Sequence, residues 1–366
     1  MRTHSPENER IKRAYFIYLK EARRLSEHSI DAAAAALSKF EEYTKYRDFK
    51  RFHIQQAMGF KRKLADQVSQ RTGEKLSSST LFANLNALRA FFHWLAGQQG
   101  YRSHLTYADA DYFALSEKES RIAKATHERS VPTIEQILHV VQEMPGATDI
   151  ELRNRALIAF TLLTGARDGA IASLKLKHVD LEQGRLLQDA REVRTKFAKT
   201  ITTWFFPVGD VIRQIVTDWV EYLRKDKLFG DSDPLFPTTR VGMNEDKCFQ
   251  AEGLTRLGWS NATPIRGIFK QAFTDAGLAY ANPHSFRKTL AQLGERVCRT
   301  PEEFKAWSQN LGHEQVLTTF SSYGQVAHDR QAELIRGLGR TDSHPLKGEA
   351  IDQVMRFLEN ARHQPH

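Results

Sequence analysis

Residues 156–167 read Ala156-Leu157-Ile158-Ala159-Phe160-Thr161-Leu162-Leu163-Thr164-Gly165-Ala166-Arg167. From Ala156 to Leu163 the run is apolar nearly all round, the pattern of a helix covered by other elements on every side. A helix across Glu151 to Thr164 is therefore expected at the centre of a core, with another from about Thr133 to Met144 before it and a short one after Arg167. The hydrophobic period then changes to that of strands. Leu174 to Val179, Arg185 to Val193 and Ile201 to Val208 read as three strands of a small antiparallel sheet. The first turn is Glu182-Gln183-Gly184, and the second carries the basic run Arg194-Thr195-Lys196-Phe197-Ala198-Lys199-Thr200. Helices resume at Val211 to Arg224, with Val211, Ile215, Trp219 and Leu223 on one side, and an irregular stretch follows from Asp226 to Asn261. Thr263-Pro264 is a good helix start, a hydroxyl cap followed by a proline in the first turn. Helices are expected over about Pro264 to Ala276, Ser285 to Val297, Pro301 to Asn310 and Leu317 to Tyr323.

Working back toward the amino terminus, Pro6 to about Tyr112 is helical in pattern, with roughly four helices: Glu7 to Arg24, Ser29 to Tyr43, Phe49 to Gln67, and one after the serine cluster Ser77 to Ser79. In the last, Leu81, Leu85, Leu88, Phe92 and Leu95 recur at helical spacing and form a core-facing stripe. Basic residues gather at the junctions, among them Lys50 and Arg51, then Lys61, Arg62 and Lys63, where they can lie along a phosphate backbone. The interleaved rings Phe49, Phe52 and Phe60 suit the buried face. Between about Leu115 and Thr133 the sequence turns polar and charged, as a linker does. The fold class is mainly α with a small antiparallel β-sheet. The expected division is a helical DNA-binding domain over 1–115, a linker over 116–132, a second domain over 133–340 and a tail over 341–366.

A chain of 366 residues is too long for one ordinary core and suits two. Its formal charge of +9 and pI near 9.4 favour polyanions. No apolar run is long enough for a bilayer, and no export or lipidation signal is evident, so no membrane partner is expected. The two cysteines, Cys248 and Cys298, exclude a disulfide scaffold and a four-thiolate zinc site and fit a reducing cytoplasm. No histidine pair has the carboxylate spacing of a zinc hydrolase.

Four separated groups remain: Thr164-Gly165-Ala166-Arg167, then His284-Ser285-Phe286-Arg287 preceded by Pro283, then Leu311-Gly312-His313, then Tyr323. Two guanidiniums, two imidazoles and a phenol are what a protein needs to grip a phosphodiester and attack it with a side chain. In this order they resemble the signature of the tyrosine recombinases, the phage integrase family, across about Val131 to Arg340. The resemblance implies a helical SAM-like domain ahead of the catalytic domain, the two forming a C-shaped clamp around double-stranded DNA. It implies that Arg167 and Arg287 bind the non-bridging oxygens of the scissile phosphate, for which the planar, always charged guanidinium fork is suited. His284 would handle the proton of the attacking phenol, and His313 would donate a hydrogen bond to the phosphate. Tyr323 would form a 3′-phosphotyrosyl bond that conserves the energy of the one broken, so neither cofactor nor metal is expected. A lysine on the strand hairpin would protonate the departing 5′ oxygen, and Lys199 matches that position better than Lys196.

The resemblance further implies a homo-oligomer, a tetramer on two DNA sites, acting in a bacterial cytoplasm on the nucleoid. The amphipathic stretch Ile351, Val354, Met355, Phe357 and Leu358 could be exchanged between subunits or pack on its own domain. Two departures stand out. Ala170 replaces the usual acidic residue three places after the first arginine, with Asp168 nearer, and the step from His313 to Tyr323 is one residue longer than the family spacing. The rivals are a catalytically impaired DNA-binding protein of the same fold and a type IB topoisomerase.

Overall fold

The structure is a computed structural model that describes residues 4–68, 73–124, 131–243 and 248–313. It divides into two compact units, 1–127 and 128–366.

The first unit is helical: α1 Pro6–Ile17, which continues as a π turn over Tyr18–Ala22, α2 Glu27–Thr44, a 3₁₀ turn Phe49–Arg51, α3 Ile54–Asp66, α4 Ser78–Ala96, α5 Tyr107–Asp111 and α6 Glu117–Lys124. The serine cluster caps α4 in the expected way, Ser77 Oγ accepting from the Thr80 amide at 3.2 Å. The segment read as a linker begins with a helix, because Ser116 and Glu119 cap its start reciprocally and Ala123 on its far turn is buried. Apolar side chains of α2, α3 and α4 meet around Phe40, which takes edge contacts from Phe60 at 5.3 Å, Phe92 at 5.4 Å and Phe113 at 5.4 Å. Phe49 and Phe60 belong to this core, and Phe52 packs against it.

One polar knot is buried with the rings. Glu41 on α2 accepts from Lys12 at 2.6 Å and from Asn8 at 3.0 Å, and Asn8 in turn accepts from the Phe49 amide at 3.1 Å. Removing the carboxylate leaves Lys12 with Glu9 as its remaining partner and Asn8 with the Arg47 carbonyl, so the loss is that of one buried charged contact and one hydrogen bond, about 2–4 kcal/mol. Glu41→Ala is therefore expected to shift the urea midpoint of this unit markedly downward, and Glu41→Gln, which keeps the amide contact, to shift it less.

The second unit opens with α7 Ile134–Glu143 and α8 Asp149–Thr164, each held by a reciprocal cap, Thr133 with Gln136 and Thr148 with Glu151. Every residue from Ala156 to Thr164 is buried, as the all-round apolar run requires. There follow α9 Asp168–Ile171, the strands β1 Val179–Asp180, β2 Arg185–Gln188 and β3 Ile201–Trp204, then α10 Asp210–Lys225, β4 Thr239–Met243, β5 Phe249–Leu254, α11 Thr263–Asp275, α12 Pro283–Val297 and α13 Pro301–Asn310. The three-stranded sheet is antiparallel in the order β1-β2-β3, with Leu186 facing Val179 on one side and Thr203 on the other.

The strands are shorter than their sequence pattern. Leu174 to His178 is not one: Leu176–His178 is a 3₁₀ turn closed by the Lys175 amide on His178 Nδ1 at 2.9 Å. The backbone of Leu174, Leu176 and Lys177 pairs instead with Leu235, Asp233 and Asp231. The stretch read as irregular contains the β4–β5 hairpin, whose register shifts between Arg240 and Val241. The buried stripe of α10 is Ile212, Val216, Trp219, Val220 and Leu223. Val211 is exposed, and Ile215 is only partly covered. Trp219 on this helix donates to the Leu235 carbonyl at 2.9 Å, and Tyr222 to Asp149 at 2.6 Å, which fixes α10 against the start of α8.

Candidate active site

The first guanidinium is placed by a glycine. Gly165 ends α8 in the left-handed region, φ 59°, and its amide caps Thr161 at 2.9 Å. A Cβ there would lie 3.0 Å from Leu290 Cδ1 and 3.1 Å from Leu311 Cδ2. Backbone strain and crowding thus act together, and Gly165→Ala is expected to cost about 1–3 kcal/mol, seen as a lowered melting temperature. The turn delivers Arg167 as the residue before α9, half-buried.

The second comes from α12, which starts at Asn282, whose side chain accepts from the Ser285 amide at 3.1 Å, with Pro283 in the first turn. His284 and Arg287 lie three apart and share a helix face. Arg287 is 6% exposed. Its Nη1 donates to the Gly165 carbonyl at 2.5 Å, and its Nη2 donates to the Leu311 carbonyl and stands 3.1 Å from His313 Nε2. Its Nε is buried without a hydrogen-bond partner among the described residues.

His313 follows α13, whose end turns through Gly312 at φ 68°. Asn310 pins that end to β3, accepting from the Trp204 amide at 2.7 Å and donating to its carbonyl at 2.8 Å. Trp307 pins the helix to α12 through the Leu290 carbonyl at 2.9 Å.

Arg167, His284 and Arg287 line one cavity of about 460 Å³, together with Asp168, Arg266, Tyr280 and Asn282. His313 adjoins it through its contact with Arg287. Burial first, then the charge of Arg167, pushes Arg287 down to about 9, and burial lowers Arg167; both remain cations at neutral pH. His313 is driven down to about 4 by burial, then by Arg287, Arg167 and His284. His284 is also lowered, by lost hydration and then by Arg287, Lys288 and Arg167. The cavity therefore concentrates positive charge while keeping both imidazoles neutral at pH 7, the state in which one can take a proton and the other donate a hydrogen bond.

A histidine held neutral by the fold favours folding above its unfolded value, about 6.5, and progressively loses that advantage as the pH falls toward 4. The melting temperature should drop through this window. His313→Asn, measured alongside, should flatten the part of the slope that His313 causes.

The acid expected near Arg167 serves another residue. Asp168 Oδ2 accepts from Arg266 Nε at 2.7 Å, and Oδ1 from the Gly169 amide. Ala170 is buried in the core at 2% exposure. Lys196 opens a 3₁₀ turn Lys196–Ala198 and is exposed, while Lys199 is half-buried two residues before β3. Neither lysine lines the cavity. Tyr323, the helix expected to carry it and the stretch Ile351–Leu358 lie outside the described residues.

In the first unit, Lys61 donates to the Ala114 carbonyl at 2.8 Å. Lys50 stands over the Tyr101 ring and Lys63 over the Tyr43 ring. Arg51 and Arg62 are exposed. Among the described residues no carboxylate pairs with any of these five. Sequence reading missed Arg266, Tyr280 and Asn282. The Asn282-Pro283 pair carried the signal of a cap followed by a first-turn proline, whereas Arg266 meets Asp168 across 98 residues of chain, and no spacing announces it.

Residues 130–330, more than half of the chain, match the phage integrase family, and residues 13–99 match the phage integrase N-terminal SAM-like domain. The chain belongs to the phage integrase family. Among its relatives, tyrosine recombinase XerC of Halalkalibacterium halodurans is 24% identical over 336 residues, spanning 90% of this chain and 97% of that protein. Tyrosine recombinase XerC of Lactobacillus delbrueckii subsp. bulgaricus is 24% identical over 263 residues, spanning 69% and 77%. Of solved structures, a lambda integrase dimer bound to a COC′ core site shares the fold with a TM-score of 0.60 at 15% identity, over 93% of this chain and 80% of that one. This integrase-family fold accounts for the mostly helical second unit with its small sheet. No helix among the described residues is long and apolar enough to cross a membrane.

Proposed function

We propose that this chain is a site-specific DNA recombinase that cleaves and rejoins double-stranded DNA through a 3′-phosphotyrosyl intermediate at Tyr323. The observation that carries this reading is the buried Arg287, locked by two carbonyls beside Arg167, with no carboxylate on either among the described residues. Two fixed cations at one cavity suit a phosphodiester whose negative charge grows as the nucleophile adds. In this reading both arginines hold the non-bridging oxygens. His284, neutral at the rim, moves the phenol's proton, and His313 donates to the phosphate. A phenol with a normal value near 10 is mostly protonated at pH 7, and these cations favour its ionised form.

Lys199 is the better general acid for the 5′ oxygen. It precedes Ile201, whose Cδ1 lies 3.0 Å from where a Cβ on Gly312 would stand, so β3 brings its start to the His313 segment. The first unit, through about residue 115, contributes Lys50, Arg51, Lys61, Arg62 and Lys63 to phosphate contacts, Lys61 after release from Ala114. The active form is a tetramer on two DNA sites, working in the bacterial cytoplasm on the nucleoid. Relatives named tyrosine recombinase XerC support the recombinase assignment by kinship, and the fold shared with a lambda integrase tetramer bound to a Holliday junction supports the tetramer.

The test starts with duplexes selected from a random pool by binding, each then nicked near the selected centre. A covalent protein–DNA adduct whose peptide map places the link on Tyr323, with exchanged junctions between two duplexes, is the expected result. Tight binding without adduct would favour a non-catalytic binder, and relaxation of plasmids without junction exchange a topoisomerase.

A further inference from the structure

Arg287 and Arg167 do not exhaust the cations of the cavity. Arg266 of α11 lines it as well, 59% exposed in its side chain, its Nε donating to Asp168 at 2.7 Å. That contact orients the guanidinium and leaves its two Nη groups with no other hydrogen bond among the described residues. Asp168 would be a liability in a cavity built for an anion, because like charges repel; with Arg266 on it, three guanidiniums against one carboxylate leave a net double positive charge. The cavity, at about 460 Å³, holds on the order of fifteen waters at about 30 Å³ each, several times what one phosphate group fills.

We infer that Arg266, held by Asp168, binds a second backbone phosphate, the neighbour of the one that is cleaved. The inference rests on the recombinase reading. Asp168 is then a positioning residue, acting through Arg266, and Arg266 a contact residue that Arg167 and Arg287 cannot replace, since both are committed to the scissile group. Tyr280, about half exposed beside Arg266, completes the wall on that side.

A charge-deletion cycle tests it. Duplexes selected by binding are made with single neutral methylphosphonates at each phosphate within two of the cleaved one. For the full-length wild-type protein, one flanking position should slow adduct formation and weaken equilibrium binding by about tenfold to a hundredfold, the worth of a charge-assisted contact. Arg266→Ala should show the same loss on the unmodified duplex and no further loss at that position. Arg266→Lys, which keeps the charge without the Nε contact, and Asp168→Asn should fall between. If Arg266→Ala stays as sensitive as wild type at every flanking position, the inference is overturned. If no adduct forms at all, the recombinase reading fails instead, and the binding arm, with the methylphosphonate moved phosphate by phosphate across the selected duplex, still decides whether Arg266 meets a phosphate. A purely structural role would lower the melting temperature and leave the position-specific sensitivity intact, which also overturns it.

Discussion

Arg287→Ala is expected to slow formation of the covalent DNA adduct by about a thousandfold or more while weakening non-covalent duplex binding only severalfold. The asymmetry follows from where charge develops. A diester carries one negative charge at rest and more at the point of attack, so a buried guanidinium fork acts mainly on the transition state; removing such a group in phosphoryl transfer costs about 10³–10⁵ in rate. Binding, spread over many backbone contacts, loses one of them. The fold loses something too, because Arg287 satisfies the carbonyls of Gly165 and Leu311, and leaving buried acceptors bare costs about 1–3 kcal/mol each. The melting temperature of the variant must therefore be recorded beside its rate. Arg287→Lys separates the two effects. It restores a point charge without the fork, so it should recover part of the stability and little of the rate. An adduct rate in Arg287→Ala within tenfold of wild type would remove this residue from the chemistry.

Tyr323→Phe carries the other large effect. The ring remains and the oxygen is gone, so adduct on a nicked duplex should fall to background, a loss of at least about 10⁴ for a nucleophile with no substitute. Binding affinity and melting temperature should stay near those of wild type. Mixed with wild-type protein, the variant should poison junction exchange beyond simple dilution if subunits act together on two sites, since one inactive member stalls the assembly. Persistence of adduct in Tyr323→Phe would assign the link to another residue, and peptide mapping would name it.

Much of this was legible in the chain. The all-round apolar run from Ala156 to Leu163 dictated a buried helix, and every residue of it is buried. The i, i+3 spacing of His284 and Arg287 placed both on one face of α12, behind a capping asparagine and a proline that sequence alone could have flagged. What stayed hidden depends on partners far along the chain. The β4–β5 hairpin carries Gly242 and Gly253 and a register shift, which break the alternation that marks a strand. Leu174 to His178 alternates like a strand, yet it turns because His178 captures the Lys175 amide. On α10 Trp219 and Leu223 are buried as expected, but the first half of the stripe was placed one residue early, since Val211 and Ile212 are equally apolar and only packing against α8 chooses between them. The Asp168–Arg266 pair joins positions 98 residues apart, and nothing local in either segment points to the other.

Arg287 also sets an order of events during synthesis. Its two anchors are the carbonyls of Gly165, 122 residues earlier, and Leu311, 24 residues later. A chain still emerging from the ribosome, with Leu311 not yet made, has the side chain and only one of the two carbonyls that aim it. If Arg287 grips the scissile phosphate as proposed, that grip is fully aimed only once Leu311 has been made.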